Sequence, residues 1–412
     1  MKSAKSTNAS IVPNTWFRKF SMAILALLPL LAWYKIPFPV SLGYALVLFL
    51  GVLSLGKEHL RINVVPPAFW IMSAYVCIMW MYNHDFAVWT LFPPGGWVFF
   101  IFVLAILWGV LSFDLYLLKK YMRYVVLISI ALFWVQLCLK VTTGSQVFCF
   151  VPNLTGDFTY EDMSYAELSV HHLAGERPCS IFMEPSYMAH YLVTYLAFAW
   201  FGGETKGKWL NKEILIIIFS LIALKSGSGM IALAVLFSVK MFSMFWTANT
   251  GRRLLLILLL VPVIIFGVNI FIGSEIGQMM LSRSNEFSTE GTSGFTRVVG
   301  GYLMFDQLDL SEQMIGIPDP RERFGFLAFD GKLVFFANGI QTILLSLGYL
   351  GAFFFLFFYA CLFKKTSIAS RMCIIILLVM SLIESNYLNP FMMLLTIIPF
   401  ADFYYNKRKL YL

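Results

Sequence analysis

The sequence predicts an all-α, polytopic membrane protein. It reads as a single integral membrane domain over residues 1–412, with about twelve transmembrane helices and a large loop on the outer side. Three observations predict this class. Hydrophobic residues make up 59% of the chain and charged residues only 13%, where a soluble domain carries about 25% charged residues. Apolar segments near the spanning length of about 20 residues recur from one end to the other. The basic residues fall on one side of those segments once the spans are alternated across a bilayer.

The first apolar segment, 20–34, follows Lys2, Lys5, Arg18 and Lys19, the order found in a signal peptide. No small-x-small cleavage site follows it; Trp33, Tyr34 and Lys35 come next, so a retained first span is expected. Further spans are expected at 38–56, 67–82, 97–113, 125–139, 185–201, 214–224, 230–246, 254–272, 335–363, 372–383 and 390–404. Segments 214–224 and 372–383 are short for a full crossing.

With the amino terminus in the cytoplasm, 21 of the 30 Lys and Arg residues fall on the cytoplasmic side. Of the 22 acidic residues only Glu58, Asp114, Glu204, Glu213 and Asp402 join them. The expected topology therefore has both termini in the cytoplasm and an acidic outer face. The net charge of +8 is a membrane-side bias rather than a nucleic-acid footprint, because no basic run with interleaved aromatics lies on a soluble face.

Two outer loops are long, 141–183 and 273–332, and long loops are commonly functional or disordered. The second carries apolar residues at helical spacing: Phe295, Val298, Val299, Tyr302 and Leu303. Thr292 or Ser293 can cap such a helix. It would either lie on the outer leaflet or pack on the bundle. Cys149 and Cys179 share the first outer loop, where an oxidising compartment would let them pair. No metal-ligand spacing is present, and His171 and His172 are adjacent, so neither a metal nor any other cofactor is expected.

The polar residues at the outer ends of spans are the candidates for chemistry. Arg177 offers a planar fork suited to phosphate oxygens. Glu184 precedes Pro185, which reads as the first residue of a helix. Two roles are open for Glu184: a cap at the positive end of the helix dipole, or a carboxylate that takes a proton from a sugar hydroxyl. His190 lies about one and a half turns further on, as a hydrogen-bonded interior residue or a catalytic one. The run Lys225-Ser226-Gly227-Ser228-Gly229 is either an anion nest or simply a tight turn. Arg283, Arg297, Arg321 and Arg323 in the large loop suit a pyrophosphate, although ordinary surface charge accounts for at least half of such residues. Arg297 stands first among them, in the first turn of the expected loop helix. Glu384 sits in a polar turn between two spans, as a second carboxylate or a turn cap.

Four strings in this order resemble the Wzy-type O-antigen and capsular polysaccharide polymerases, relatives of the O-antigen ligases. They are Arg-Pro-x-Ser-x-Phe-x-Glu-Pro-Ser at 177–186, Ser-Gly-Ser-Gly at 226–229, Gly-Phe-Thr-Arg at 294–297, and Asn-x-x-x-x-x-Leu-x-x-x-Gly-x-x-Gly at 338–351. Ligases usually carry a histidine just before the Asn of the last string. Here it is Ala337, which favours a polymerase.

The resemblance implies a GT-C-like fold in the bacterial inner membrane. The implied reaction is metal-independent glycosyl transfer at the outer face. The donor is a glycan on undecaprenyl pyrophosphate, and the acceptor is the next lipid-linked repeat unit. Glu184, Arg177, Arg297 and His190 would then carry the chemistry. Lys225, Ser226, Ser228, Arg283, Arg321, Arg323, Asn338 and Glu384 would line the substrate site. A chain-length regulator and a flippase would be membrane partners, and nucleic acid would not. The alternatives are an O-antigen ligase and, less favoured, a lipid-linked oligosaccharide flippase or other transporter. Transporters tend to place charge near the bilayer midplane rather than at span ends.

Overall fold

The computed structural model describes residues 16–31, 34–36, 38–57, 64–82, 94–144, 147, 178–182, 184–202, 211–247, 273, 278, 293–317, 319–327, 333–334, 337–384 and 387–410. Its long apolar runs become helices. The chain begins with α1 (Trp16–Leu31), a hairpin of β1 (Lys35–Ile36) and β2 (Phe38–Ser41), then α2 (Leu42–Lys57), α3 (Pro67–Tyr82), α4 (Pro94–Ser112) and α5 (Leu115–Thr143). It continues with α6 (Pro185–Phe201), α7 (Lys212–Ala223) and α8 (Gly227–Thr247). After the expected span 254–272, which lies outside the described residues, come short elements. These are α9 (Ser293–Phe295), a π-helical turn (Thr296–Gly300), α10 (Gly301–Asp306), α11 (Leu310–Ile315) and α12 (Pro320–Phe324). A second antiparallel hairpin, β3 (Phe326–Leu327) with β4 (Leu333–Val334), precedes α13 (Gly339–Lys365), α14 (Ile368–Ser381) and α15 (Pro390–Leu410).

This is an all-α, membrane-embedded protein. Three described helices, Leu115–Thr143, Gly227–Trp246 and Gly339–Lys365, are long and apolar enough to cross a bilayer. Their outer faces remain apolar, with Ile128, Phe242 and Phe353 exposed. The centre is formed by α6 and α15, most of whose described residues are buried. Lipid tails are as apolar as Leu, so close packing and hydrogen bonds must join the helices. Both are present. The Tyr191 hydroxyl donates to the Ala26 carbonyl at 2.6 Å, and Trp108 Nε1 donates to Ser21 Oγ at 3.2 Å. A Cβ on Gly109 would lie 2.4 Å from Ile397 Cγ2, so α4 and α15 approach as only glycine allows.

Helix α5 corrects the expected span 125–139. Asp114 caps its start, accepting the Leu117 N–H at 3.0 Å, and Gly144 ends it with φ 68°. Its 29 residues make about 43 Å of helix, against a hydrocarbon core of about 30 Å. Lys119, Lys120 and Arg123 therefore ride on the helix rather than in a connection, and the first loop begins at Gly144 instead of 141. Cys179 is buried, while its expected partner Cys149 lies outside the described residues.

The large loop forms, over its described residues 293–317 and 319–327, short helices, a π turn and the strand β3. Its expected amphipathic stripe does not bury as a unit. The π turn over Thr296–Gly300 carries an extra residue per turn, which rotates the following helix away from a 3.6-residue pattern. Tyr302 and Leu303 are exposed, while Gly300, Gly301 and Phe305 are buried. Phe305, Leu308 and Ile317 join Leu345 of α13 in a small separate core. Thr292, one of the two expected caps, lies outside the described residues. The hairpin ending at Val334 also moves the following helix back from 335 to Gly339, where Asn338 caps it.

Candidate functional site

Helix α6 starts where Pro185 predicts. Glu184 occupies the cap position in extended backbone, but its side chain makes no capping bond; its carboxylate instead accepts the Ser186 hydroxyl at 3.1 Å. Three residues on, Tyr187 packs its ring against His190, and Phe391 of α15 closes on both. His190 is buried, and its Nε2 shares a 3.0 Å hydrogen bond with Ser228 Oγ.

The Ser-Gly run explains how α8 reaches that histidine. Lys225 turns the chain with φ 51°, and Ser226 Oγ accepts the Gly229 N–H at 3.4 Å. A Cβ on Gly229 would sit 2.5 Å from Ala189 Cβ, so the start of α8 lies directly on α6. Ser226 and Ser228 are both buried and bond each other at 3.3 Å. The Ser228 hydroxyl bonds His190, and the Ser226 hydroxyl stands behind it.

Glu384, after the end of α14, acts electrostatically on His190 and forms an ion pair with Arg297, Oε2 to Nη1, at 3.2 Å. The pair is half-buried: the side chains of Arg297 and Glu384 are 37% and 16% exposed. Glu384 is thus a charge partner and not merely a turn cap. Its carbonyl also accepts the Gly339 N–H at 2.9 Å, which seats the start of α13 against the end of α14.

Asn338 ties the corner together. Its Nδ2 donates to the Arg297 carbonyl at 2.7 Å and to the Leu382 carbonyl at 3.0 Å. Its Oδ1 accepts the Gln341 N–H at 2.8 Å, and Gln341 Oε1 accepts the Asn338 N–H at 3.0 Å, a complete capping box. Both amide protons of Asn338 are used, and one of them holds the Arg297 backbone.

The other expected site residues divide. Arg177 and Arg283 lie outside the described residues, as does the side chain of Arg321 on α12. Arg323 is not part of the cluster. It pairs with Glu312 and lies 5.6 Å from the Phe324 ring centre. Glu312 belongs to the capping box of Asp309, whose carboxyl is held below its ordinary range by the Ser311 hydroxyl and nearby backbone N–H groups. Lys225 borders the turn before Ser226 and is half-buried. The structure therefore joins two groups, His190 with Ser228 and Ser226 and Arg297 with Glu384 and Asn338, with Glu184 one turn of α6 away from Tyr187.

Sequence reasoning missed Tyr187, Phe391 and Gln341. Only Gln341 carried a signal, the Asn-x-x-Gln spacing of a capping box. The two rings belong to separate helices, and nothing local marks their meeting.

No protein-family model matches this chain, and no curated protein matches it. Fold and site define its class: an all-α, membrane-embedded protein with an arginine–carboxylate pair at the end of α14 and a buried histidine inside α6.

Proposed function

We propose that this protein polymerises undecaprenyl-pyrophosphate-linked oligosaccharide repeat units into O-antigen or capsular polysaccharide, as its resemblance to the Wzy-type polymerases implies. The carrying observation is the Arg297–Glu384 pair, held by Asn338, with His190 within reach of the Glu384 charge. It joins a cation suited to a departing pyrophosphate with groups that can handle a proton. Around it stand the π turn that carries Arg297, the starts of α6, α8 and α13 and the end of α14; the last four are helix ends. Under the alternating topology with both termini in the cytoplasm, all four ends belong to the outer face of the inner membrane. The twelve-span, GT-C-like arrangement is part of the same proposal.

In this reading the acceptor hydroxyl attacks the anomeric carbon of the donor glycan, and the bond from that carbon to the pyrophosphate oxygen breaks. Arg297 stabilises the charge that develops on the pyrophosphate. Glu384 holds Arg297 in place. Glu184, at the rim of α6, accepts the proton of the hydroxyl. An apolar groove of about 490 Å³, lined by Trp134, Ile216, Phe219, Ile222 and Ala223, runs between α5 and α7. Its last residue lies two positions before Lys225, so a polyprenyl chain could rest there with its head near the polar cluster.

The test is disruption of the gene followed by gel separation of the surface glycan. Loss of the polymer ladder, with a single repeat unit still attached, is the expected result. A normal ladder would refute the proposal, and loss of all attached glycan would point to a ligase or flippase.

A further inference from the structure

Two buried donors at the Arg297 corner have no acceptor among the described residues: Arg297 Nε and Gln341 Nε2. Gln341 is fully buried. Buried polar groups are nearly always paired, and leaving a donor without an acceptor lowers stability. Both donors belong to one knot of contacts. Asn338 bonds the Arg297 carbonyl through its side chain and Gln341 Oε1 through its backbone N–H. Gly301, one turn after Arg297, abuts the same amide: a Cβ there would lie 2.5 Å from Gln341 Cδ. The bond to Oε1 fixes which way the Gln341 amide faces. Glu384 takes Arg297 Nη1 and leaves the Nε side of the guanidinium uncommitted.

What remains is an anion subsite in outline. A guanidinium edge matches oxygens of a phosphoryl group. The first turn of α13 adds the positive end of its dipole, and Gln341 adds a neutral donor. We infer that Arg297 Nε and Gln341 Nε2 together bind an oxygen of a pyrophosphate group, which makes Gln341 a substrate-binding residue. The inference rests on the proposed polymerase reading, which names the pyrophosphate. Glu384 repels an anion on its own side of the guanidinium and so confines it to the Nε side. The Arg297 side chain is more than one-third exposed, which sets this corner at the protein surface.

Gln341→Glu separates the donor from the cap. Glutamate keeps an oxygen for the Asn338 N–H, as capping boxes commonly do. It replaces the Nε2 donor with a second acceptor that also competes for Arg297 Nε. Purified wild-type and Q341E protein in lipid nanodiscs are titrated with undecaprenyl pyrophosphate, inorganic pyrophosphate and undecaprenol. Undecaprenyl pyrophosphate should bind the wild type and bind Q341E about 10- to 100-fold more weakly, with undecaprenol unchanged between them. A parallel loss for inorganic pyrophosphate assigns recognition to the phosphates alone; a loss confined to the lipid form assigns it to the lipid-linked headgroup. Equal affinity of both proteins for undecaprenyl pyrophosphate overturns the subsite and leaves the polymerase reading standing. Failure of the wild type to bind either pyrophosphate overturns both. If Q341E does not accumulate in membranes, Arg297→Lys, which keeps a cation for Glu384 and lacks the Nε donor, carries the same expectation.

Discussion

Gly316 and Gly348 lock two backbones together. A Cβ on Gly316 would lie 2.3 Å from the Ser346 carbonyl carbon, and one on Gly348 would lie 2.4 Å from the Met314 carbonyl carbon. Both hold positive φ, 85° and 66°. Gly348 breaks α13, and a break in a membrane helix must have its freed carbonyls satisfied by protein. Here the Ile317 N–H donates to the Leu345 carbonyl and the Tyr75 hydroxyl to the Leu347 carbonyl, each at 2.8 Å. The large loop is thereby fastened to the helix whose cap holds Arg297.

Gly348→Ala should therefore destabilise the protein by roughly 2–4 kcal/mol, from the strained φ and the backbone overlap together. Thermal unfolding of the purified protein in detergent measures it. A midpoint equal to the wild type would mean that the interlock is not as tight as these distances require.

Asn338→Asp tests the clamp. Aspartate still accepts the Gln341 N–H and caps α13, but it cannot donate to the Arg297 and Leu382 carbonyls. Each buried carbonyl left unpaired costs about 1–3 kcal/mol. The variant should insert normally, unfold at lower temperature and yield little polymer. Full polymer at matched expression would show that Arg297 does not depend on this tie.

Glu184→Gln distinguishes cap from base. The Glu184 side chain makes no capping bond to α6, so an amide should leave the helix start unchanged. Polymer should fall sharply while thermal stability stays near wild type, because an amide cannot take a proton. Retained polymer would assign the proton transfer elsewhere.

Much of the fold was legible because its punctuation is local. The helices at 67–82 and 185–201 begin with Pro67 and Pro185, each of which fits a first helical turn, and they end where the apolar run ends. The π turn at Thr296–Gly300 was not legible, since Phe295, Val298 and Tyr302 suit an ordinary helix equally well. Arg323 looked like Arg297 in sequence; only the nearby Glu312 of a locally capped turn tells them apart. The Arg297–Glu384 pair spans 87 residues of sequence and exists only because α13 and α14 meet at Asn338. Ser226 and Ser228 read as turn residues until the contact of Gly229 with Ala189 brings them under His190.

The central claim is that Arg297 stabilises the departing pyrophosphate. The most direct measurement supplies purified lipid-linked repeat units to wild-type and Arg297→Ala protein in nanodiscs and follows chain extension with release of undecaprenyl pyrophosphate. Wild type should extend the chains, and Arg297→Ala should do so about 10²–10³-fold more slowly, with Arg297→Lys only partly restored because it lacks the fork. Extension by Arg297→Ala at the wild-type rate would contradict the account.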